Sequence, residues 1–397
     1  MSPVIEEKGY TSTQIGGREN HGIADHILVI RSIMDNYNYL NKTLYIEFID
    51  LVKAFDKMIL KNVLNDLWNA EVRGRLWRNI YHINKKAILK IKTPMGLTEE
   101  CEIGETLKQG SVLASSLAAL HTDSVNRLFN HRENGVIYGD MRLNQLLFQD
   151  DILKVEDSAE NLNNANKVYS WFGKINGMKF HEEKSMFMTN SKNSPNIQLS
   201  ENMLNRAENY KYLADYITPN GSLTYTIKQR KNQILGITAE LSTIISLIDQ
   251  QGLHILATKR YHQAIILPKL LTNAEAWTPT PIEMKELETV QNITLKRLMR
   301  LPQGTPSKGL LNELGLWSVK NIILHKKLMY LHKLINYKQD NLARKVFFIQ
   351  TKQPGETWWS SLKNEASDAN INLDLDQLQI ITKNQWKNLI NTSIQKI

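Results

Sequence analysis

The stretch LNQLLFQDDILKVED, Leu143–Asp157, decides how the rest of the chain is read. Two apolar runs, LLF and IL, flank Asp150 and Asp151, and both are too short for a helix of ordinary length. The pattern predicts strand, acidic turn, strand. A third carboxylate has similar surroundings upstream. In TLYIEFIDL (43–51) an alternating pattern passes into an apolar run and ends near Asp50, which predicts a buried strand with an acid at its end. A carboxylate among apolar strand residues is costly unless it is paired or binds a cation. If the two strands lie side by side, three carboxylates converge, and such a donor set suits hard Mg2+ ions. Taken alone, an Asp-Asp pair is more often a solvated turn, and Asp56, Asp140 and Asp157 read as surface groups of that kind.

Outward from these strands, helical patterns occupy Leu60–Asn69 and Arg75–Ile83. ILKIKTPMGLTEECEI (88–103) predicts two strands around a turn at Pro94–Gly96. SVLASSLAALHTDSVNRLF (111–129) is apolar at helical spacing, and a helix over Ala159–Ile175 is expected to end at Gly177 as its C-terminal cap. Strands are expected around Ser185–Met188 and Tyr210–Ile217. Beyond the Pro219–Asn220–Gly221 turn the texture changes. Long helical patterns follow at Thr226–Asp249, Leu253–Leu271, Pro281–Leu301 and Ser318–Asn336, divided by Gly and Pro breaks. The chain therefore divides into a mixed region over 1–225, a helical region over 226–345, and a helical or irregular segment over 346–397 that carries Trp358, Trp359 and Trp386.

The net charge of +9 is unevenly spread. From Thr226 onward there are 23 Lys and Arg against 13 Asp and Glu; before it, 26 against 27. An excess gathered in one half suggests a surface that neutralises phosphates, although solvated helix faces would give the same count. The single cysteine, Cys101, excludes an internal disulfide framework and a cysteine-cluster zinc site. No apolar run approaches the roughly 20 residues that span a bilayer. The first residues, MSPVIEEKGYTST, lack the pattern of a secretory signal. The expectation is an intracellular protein with no membrane partner.

Six segments, in this order, resemble the motifs of reverse transcriptases from non-LTR (LINE-type) retrotransposons. QIGGRENHGIADHILVIRSI (14–33) is similar to their fingers segment and FIDLVKAFDKM (48–58) to their first catalytic motif. LKQGSVL (107–113) resembles the nucleotide-side motif, and FQDD (148–151) stands where that family has FADD. GMKFHEEKS (177–185) and YKYLADYI (210–217) look like the lysine motif and the primer-grip strand. LPQGTPSKGLLNELGLWSVKNIILHKKLMYLHKL (301–334) is like the thumb helices behind them. The match covers most of the chain, and its specificity lies in the order, since any one motif is weak.

The resemblance implies an α+β fold, a right-hand polymerase palm with partial fingers followed by an all-α thumb. It implies an RNA-directed DNA polymerase that uses two Mg2+ ions, with Mn2+ as a substitute. RNA template, DNA primer or target, and dNTPs are the implied partners. Asp50, Asp150 and Asp151 match the metal-binding catalytic triad, and Phe55 the steric gate against a ribose 2′-hydroxyl. Gln109 and Gly110 match the pair beside the incoming nucleotide, Lys184 the acid for the leaving pyrophosphate, and Arg18 a residue near the triphosphate. On the basic helices, Lys228, Arg230, Lys231, Lys320, Lys326 and Lys327 are candidates for phosphate contacts with a duplex. The sequence departs from the family at Gln149, Ala114–Ser115 and Thr106, and at Glu19 and His21 where basic residues are usual. It also begins inside the fingers, without the upstream endonuclease or the zinc knuckle. Those departures motivate a second reading: a catalytically decayed element fragment that retains only nucleic-acid binding.

Overall fold

The computed structural model describes residues 2–394 except 86, 104–105, 109, 130–133, 194 and 249–253. The chain forms two compact units, one of Met1–Gly22 with Asn36–Glu208, the other of Ile23–Asp35 with Asn209–Ile397. Sequence texture suggested a change at 225; the compact units part at Glu208, and the second also takes in an early helix.

The first unit is built on a five-stranded sheet. Its strands are β1 (Tyr45–Ile49), β2 (Gln145–Phe148), β3 (Asp151–Glu156), β4 (Met186–Thr189) and β5 (Asn205–Arg206), in the order β5-β4-β1-β3-β2. β1 is central and antiparallel to both neighbours. All five of its residues are buried, including Glu47, which is paired with Lys154 of β3 at 3.1 Å. Helices at Leu60–Asn69, Ala114–Asp123 and Ala159–Asn176 contribute to the core with Ile49, Leu147, Ile152 and Phe187. The last of these begins at Ser158, whose hydroxyl accepts the Asn161 amide, and ends at Gly177 with φ 67°, a left-handed cap that glycine adopts without strain. The 88–103 region folds as two small antiparallel pairs, Ala87–Leu89 with Cys101–Ile103 and Lys92–Thr93 with Gly96–Leu97.

The second unit is mainly helical, with long helices at Thr224–Ile248, Pro281–Leu298 and Val319–Asn336. The Pro281 helix opens with a reciprocal cap between Thr280 and Glu283. Between His254 and Leu270 the expected single helix is interrupted by a π segment, His262–Ile266, just ahead of Pro268. Proline lacks an N–H and crowds the carbonyl four residues back, so a local widening relieves the helix there. The single strand expected over Tyr210–Ile217 is instead a tight hairpin, Tyr210–Tyr212 against Asp215–Ile217. Leu213 and Ala214 turn it at φ 43° and 70°, positions for which sequence normally supplies Gly or Asn. The 346–397 segment is anchored to its unit by buried tryptophans. The Trp386 indole donates to the Leu328 carbonyl at 2.9 Å and the Trp358 indole to that of Glu275 at 2.9 Å.

Candidate active site

The strand register brings the carboxylates together. Ile49 pairs with Ile152 across β1 and β3, so the next residues along, Asp50 and Asp151, adjoin at the ends of neighbouring antiparallel strands. Phe148 pairs with Asp151 and closes a two-residue turn of Gln149 and Asp150. Gln149 takes the left-handed φ of 58° that this reversal demands.

The electrostatics confirm the crowding. Loss of hydration pushes the Asp151 carboxyl up to about 6, reinforced by the like charges of Asp150 and Asp50. Asp150 is raised for the same first reason, with Asp50 adding to it and a backbone hydrogen bond opposing. The Lys184 ammonium lies 3.7 Å from Asp50 Oδ2 and is itself exposed. Among the described residues no group of three or more His, Cys, Asp and Glu stands close enough to hold an ion as it is. The donor set, three carboxylates of which Asp150 and Asp151 have raised proton affinity, beside one exposed lysine, nevertheless fits a hard divalent cation in its chemistry.

The backbone at Asp50 is held from a neighbouring segment. Its N–H donates to Ser185 Oγ at 3.1 Å, its carbonyl accepts the His181 amide at 2.8 Å, and the Val52 amide donates to the Lys179 carbonyl at 2.8 Å. The lysine-motif segment therefore positions the first acid through main chain and Ser185 as well as bringing Lys184 near. Ser185 closes the GMKFHEEKS stretch, where it was assigned no role of its own. Gln14 was missed in the same way. Its fully buried carboxamide accepts from the amides of Gly16 at 2.8 Å and Gln149 at 3.1 Å and donates to the Ala119 carbonyl at 3.2 Å. In the sequence Gln14 opens the fingers-like stretch, and the adjoining Gly16-Gly17 pair hints that backbone passes close by.

The other candidates divide. The Phe55 ring is half-buried against the hydrophobic core. Gly110 is exposed at φ 86°, with open space where a Cβ would go, and Gln109 lies outside the described residues. Arg18 is occupied within the fold: it donates to Glu6 at 2.9 Å and to the carbonyls of Thr11 and Gln14 at 3.0 and 2.8 Å, and it lies over the Tyr10 ring. Those contacts brace the loop before the sheet.

Among the basic candidates of the second unit the expectation needs correction. Arg230 is buried against Asp215 at 2.6 Å and over the Trp277 ring. Lys327 is fully buried, 2.6 Å from Glu365, and burial lowers its ammonium. Neither side chain reaches a phosphate from these positions. Lys326 is bound to Glu275 and the Leu271 carbonyl, and Lys231 to Glu286, each half-exposed. Lys228 and Lys320 are exposed. Helical spacing showed that several basic residues share a face; it could not show which face turns inward.

A mixed sheet that ends adjacent strands in acids, backed by helices and followed by a helical unit, defines the palm-and-thumb class of polymerases. A sequence model of that class agrees: "Reverse transcriptase (RNA-dependent DNA polymerase)" matches residues 2–239, and the chain belongs to this family. No curated protein matches the sequence. Among solved structures, apo telomerase from Candida tropicalis is similar at 11% identity and a TM-score of 0.43, over 98% of this chain and 59% of that one. Telomerase from Candida albicans, in complex with a TWJ fragment of telomeric RNA, is similar at 10% identity and a TM-score of 0.40, over 89% and 56%. The chain thus spans a little over half the length of these two structures.

Proposed function

We propose that the chain is an RNA-directed DNA polymerase of the non-LTR retrotransposon kind. The observation that carries this reading is the register that sets Asp50 beside Asp151, within the span matched by the family. In this reading Asp50, Asp150 and Asp151 hold two divalent ions. Such ions, Mg2+ with Mn2+ as a substitute, would supply a lowered pKa at the primer 3′-hydroxyl and charge neutralisation at the leaving group.

The primer 3′-oxygen attacks the α-phosphorus of a dNTP, the bond to the bridging oxygen of the β-phosphate breaks, and pyrophosphate leaves. The hydroxyl proton goes to solvent. Lys184 gives a proton to the pyrophosphate, a role supported by its exposure and its approach to Asp50. Phe55 gates the sugar, and Gly110 with Gln109 lines the nucleotide side. Lys228 and Lys320, with Lys231 and Lys326 beside ion-pair partners, contact the backbone of the RNA–DNA duplex, where shape and charge but not sequence must be read.

Primer extension on an RNA template tests this reading. The parent chain is expected to extend the primer only with a divalent ion, and Asp150→Asn to lower extension about 10^3-fold, the scale of losing several kcal/mol of charge stabilisation. Absence of metal-dependent extension in the parent would overturn the enzymatic reading. Duplex binding that survives Asp150→Asn and fades with salt would then favour a nucleic-acid-binding remnant.

A further inference from the structure

Two departures from the family pattern, Gln149 in the acidic turn and Ser115 at the start of the Ala114–Asp123 helix, touch one another. The Gln149 side-chain amide donates to Ser115 Oγ at 2.5 Å. The same turn is held at its backbone, where the Gln149 amide donates to the buried Gln14 carboxamide at 3.1 Å. It is also pressed from beneath, since a Cβ on Gly16 would lie 2.2 Å from the Gln149 nitrogen. The loop carrying Gly16 is itself tied to the sheet edge, the Leu147 amide donating to Thr13 and the Ile15 amide to Leu147, at 2.9 and 3.0 Å. Of these attachments, the Gln149–Ser115 bond runs directly from the turn to the start of the helix that follows the nucleotide-side loop around Gly110, whereas Gln14 reaches that helix further along, at the Ala119 carbonyl. In that loop the Ala114 amide donates to the Ser111 carbonyl at 3.1 Å, so loop and helix start are continuous in hydrogen bonding.

We infer that Gln149 and Ser115 form a positioning pair, which fixes the acidic turn carrying Asp150 and Asp151 against the start of the helix on the nucleotide side. The inference rests on the polymerase reading for its catalytic consequence. The pair does not touch the reacting atoms in this account; it sets where the turn stands. A non-glycine residue with left-handed φ gains from such an external tie, because its backbone conformation is strained on its own. Side-chain loss here therefore loosens the turn without opening a hole in the core, since both residues are half-buried.

The test uses the full chain with Gln149→Met, which keeps length and removes the amide, with Ser115→Ala, with both together, and with Ser115→Thr, which restores a hydroxyl. Hydrogen–deuterium exchange over 145–152, without substrate or metal, is expected to quicken in the first three and return toward parent in Ser115→Thr. In primer extension, kcat is expected to fall about tenfold in each single variant with little change in the KM for dNTP, because misplacement of reacting groups acts on the step and not on binding. The double variant should fall about tenfold as well, not a hundredfold, because the two residues act through one bond. Unchanged exchange in Gln149→Met and Ser115→Ala, additive losses in the double variant, or a loss confined to KM would overturn the inference. An inactive parent would sink the polymerase reading it rests on, while the exchange result would still decide whether the pair braces the turn.

Discussion

Three residues along the same two strands, charge is handled in opposite ways. Glu47 on β1 faces Lys154 on β3 in register, at 3.1 Å, and both are buried. Lys154 also donates to Asn166 and lies over the Tyr169 ring, and Tyr169 in turn donates to Gln145. At the strand ends Asp50 adjoins Asp151 with Asp150 near, acid beside acid. Burial pushes the Glu47 carboxyl up and the Lys154 ammonium down, and each charge offsets part of the other's loss. No such compensation is built between Asp150 and Asp151. A paired charge inside a sheet is architecture. Like charges gathered at its end, with only the exposed Lys184 beside Asp50, are the kind of perturbed acids that gather at functional sites.

The largest effect separates these two fates. Lys154→Met leaves Glu47 buried without its partner and is expected to cost about 3–5 kcal/mol of stability by urea unfolding. The double variant Glu47→Leu with Lys154→Met should recover much of that, since no buried charge remains. A Lys154→Met chain as stable as the parent would show that the pair is not what fills this layer. Next in size is Gly16→Ala. Its new Cβ would meet backbone at Gln149, so the acidic turn must move, and primer extension should fall about a hundredfold. Retained extension would mean the turn tolerates displacement.

A smaller effect concerns the acids themselves and carries a sign. The Asp151 carboxyl sits at about 6 in the folded chain, above its usual value, so the folded state holds that proton more tightly than the unfolded one. Without divalent ions the parent should therefore gain stability as pH falls from about 6 toward 4, and lose it again on the way up. Asp151→Asn cannot gain in this way. It should be the more stable chain at pH 7.5, by at most about 1 kcal/mol for a side chain that opens to solvent, and lose that margin near pH 4. Thermal unfolding in a chelator reads it; a margin that widens on acidification would contradict the account.

Much of this was open to reading in the sequence, and the reasons are physical. Asp50 and Asp150–Asp151 stand out because short apolar runs that read as strand flank them, and the ordered motifs around them add the specificity that the acids alone lack. The helix from Ser158 to Gly177 is legible because both ends carry their own caps. The hairpin at Leu213–Ala214 is not, because two ordinary side chains take left-handed φ under constraint from the fold. Ser185, Gln14 and the Gln149–Ser115 bond escape for a similar reason. Each acts through a partner more than twenty residues away, and neither propensity nor spacing encodes that pairing.

The comparison between paired and unpaired charge extends to the basic residues, where it yields the smallest expected effect. Lys327 and Arg230 have acid partners and are buried; Lys228 and Lys320 are exposed. Phosphate contact releases counterions, so each contributing lysine adds close to one unit to the slope of log affinity against log salt. Lys228→Ala and Lys320→Ala should each lower that slope by about one for an RNA–DNA duplex, weakening all sequences alike and leaving stability nearly unchanged. Lys327→Ala should do the reverse, lowering stability because Glu365 is left without its buried partner while the salt slope of the folded chain holds. If Lys327→Ala lowered the slope and Lys228→Ala did not, the face that meets nucleic acid would have to be the one now turned inward, and the division drawn here between structural and available charge would fail.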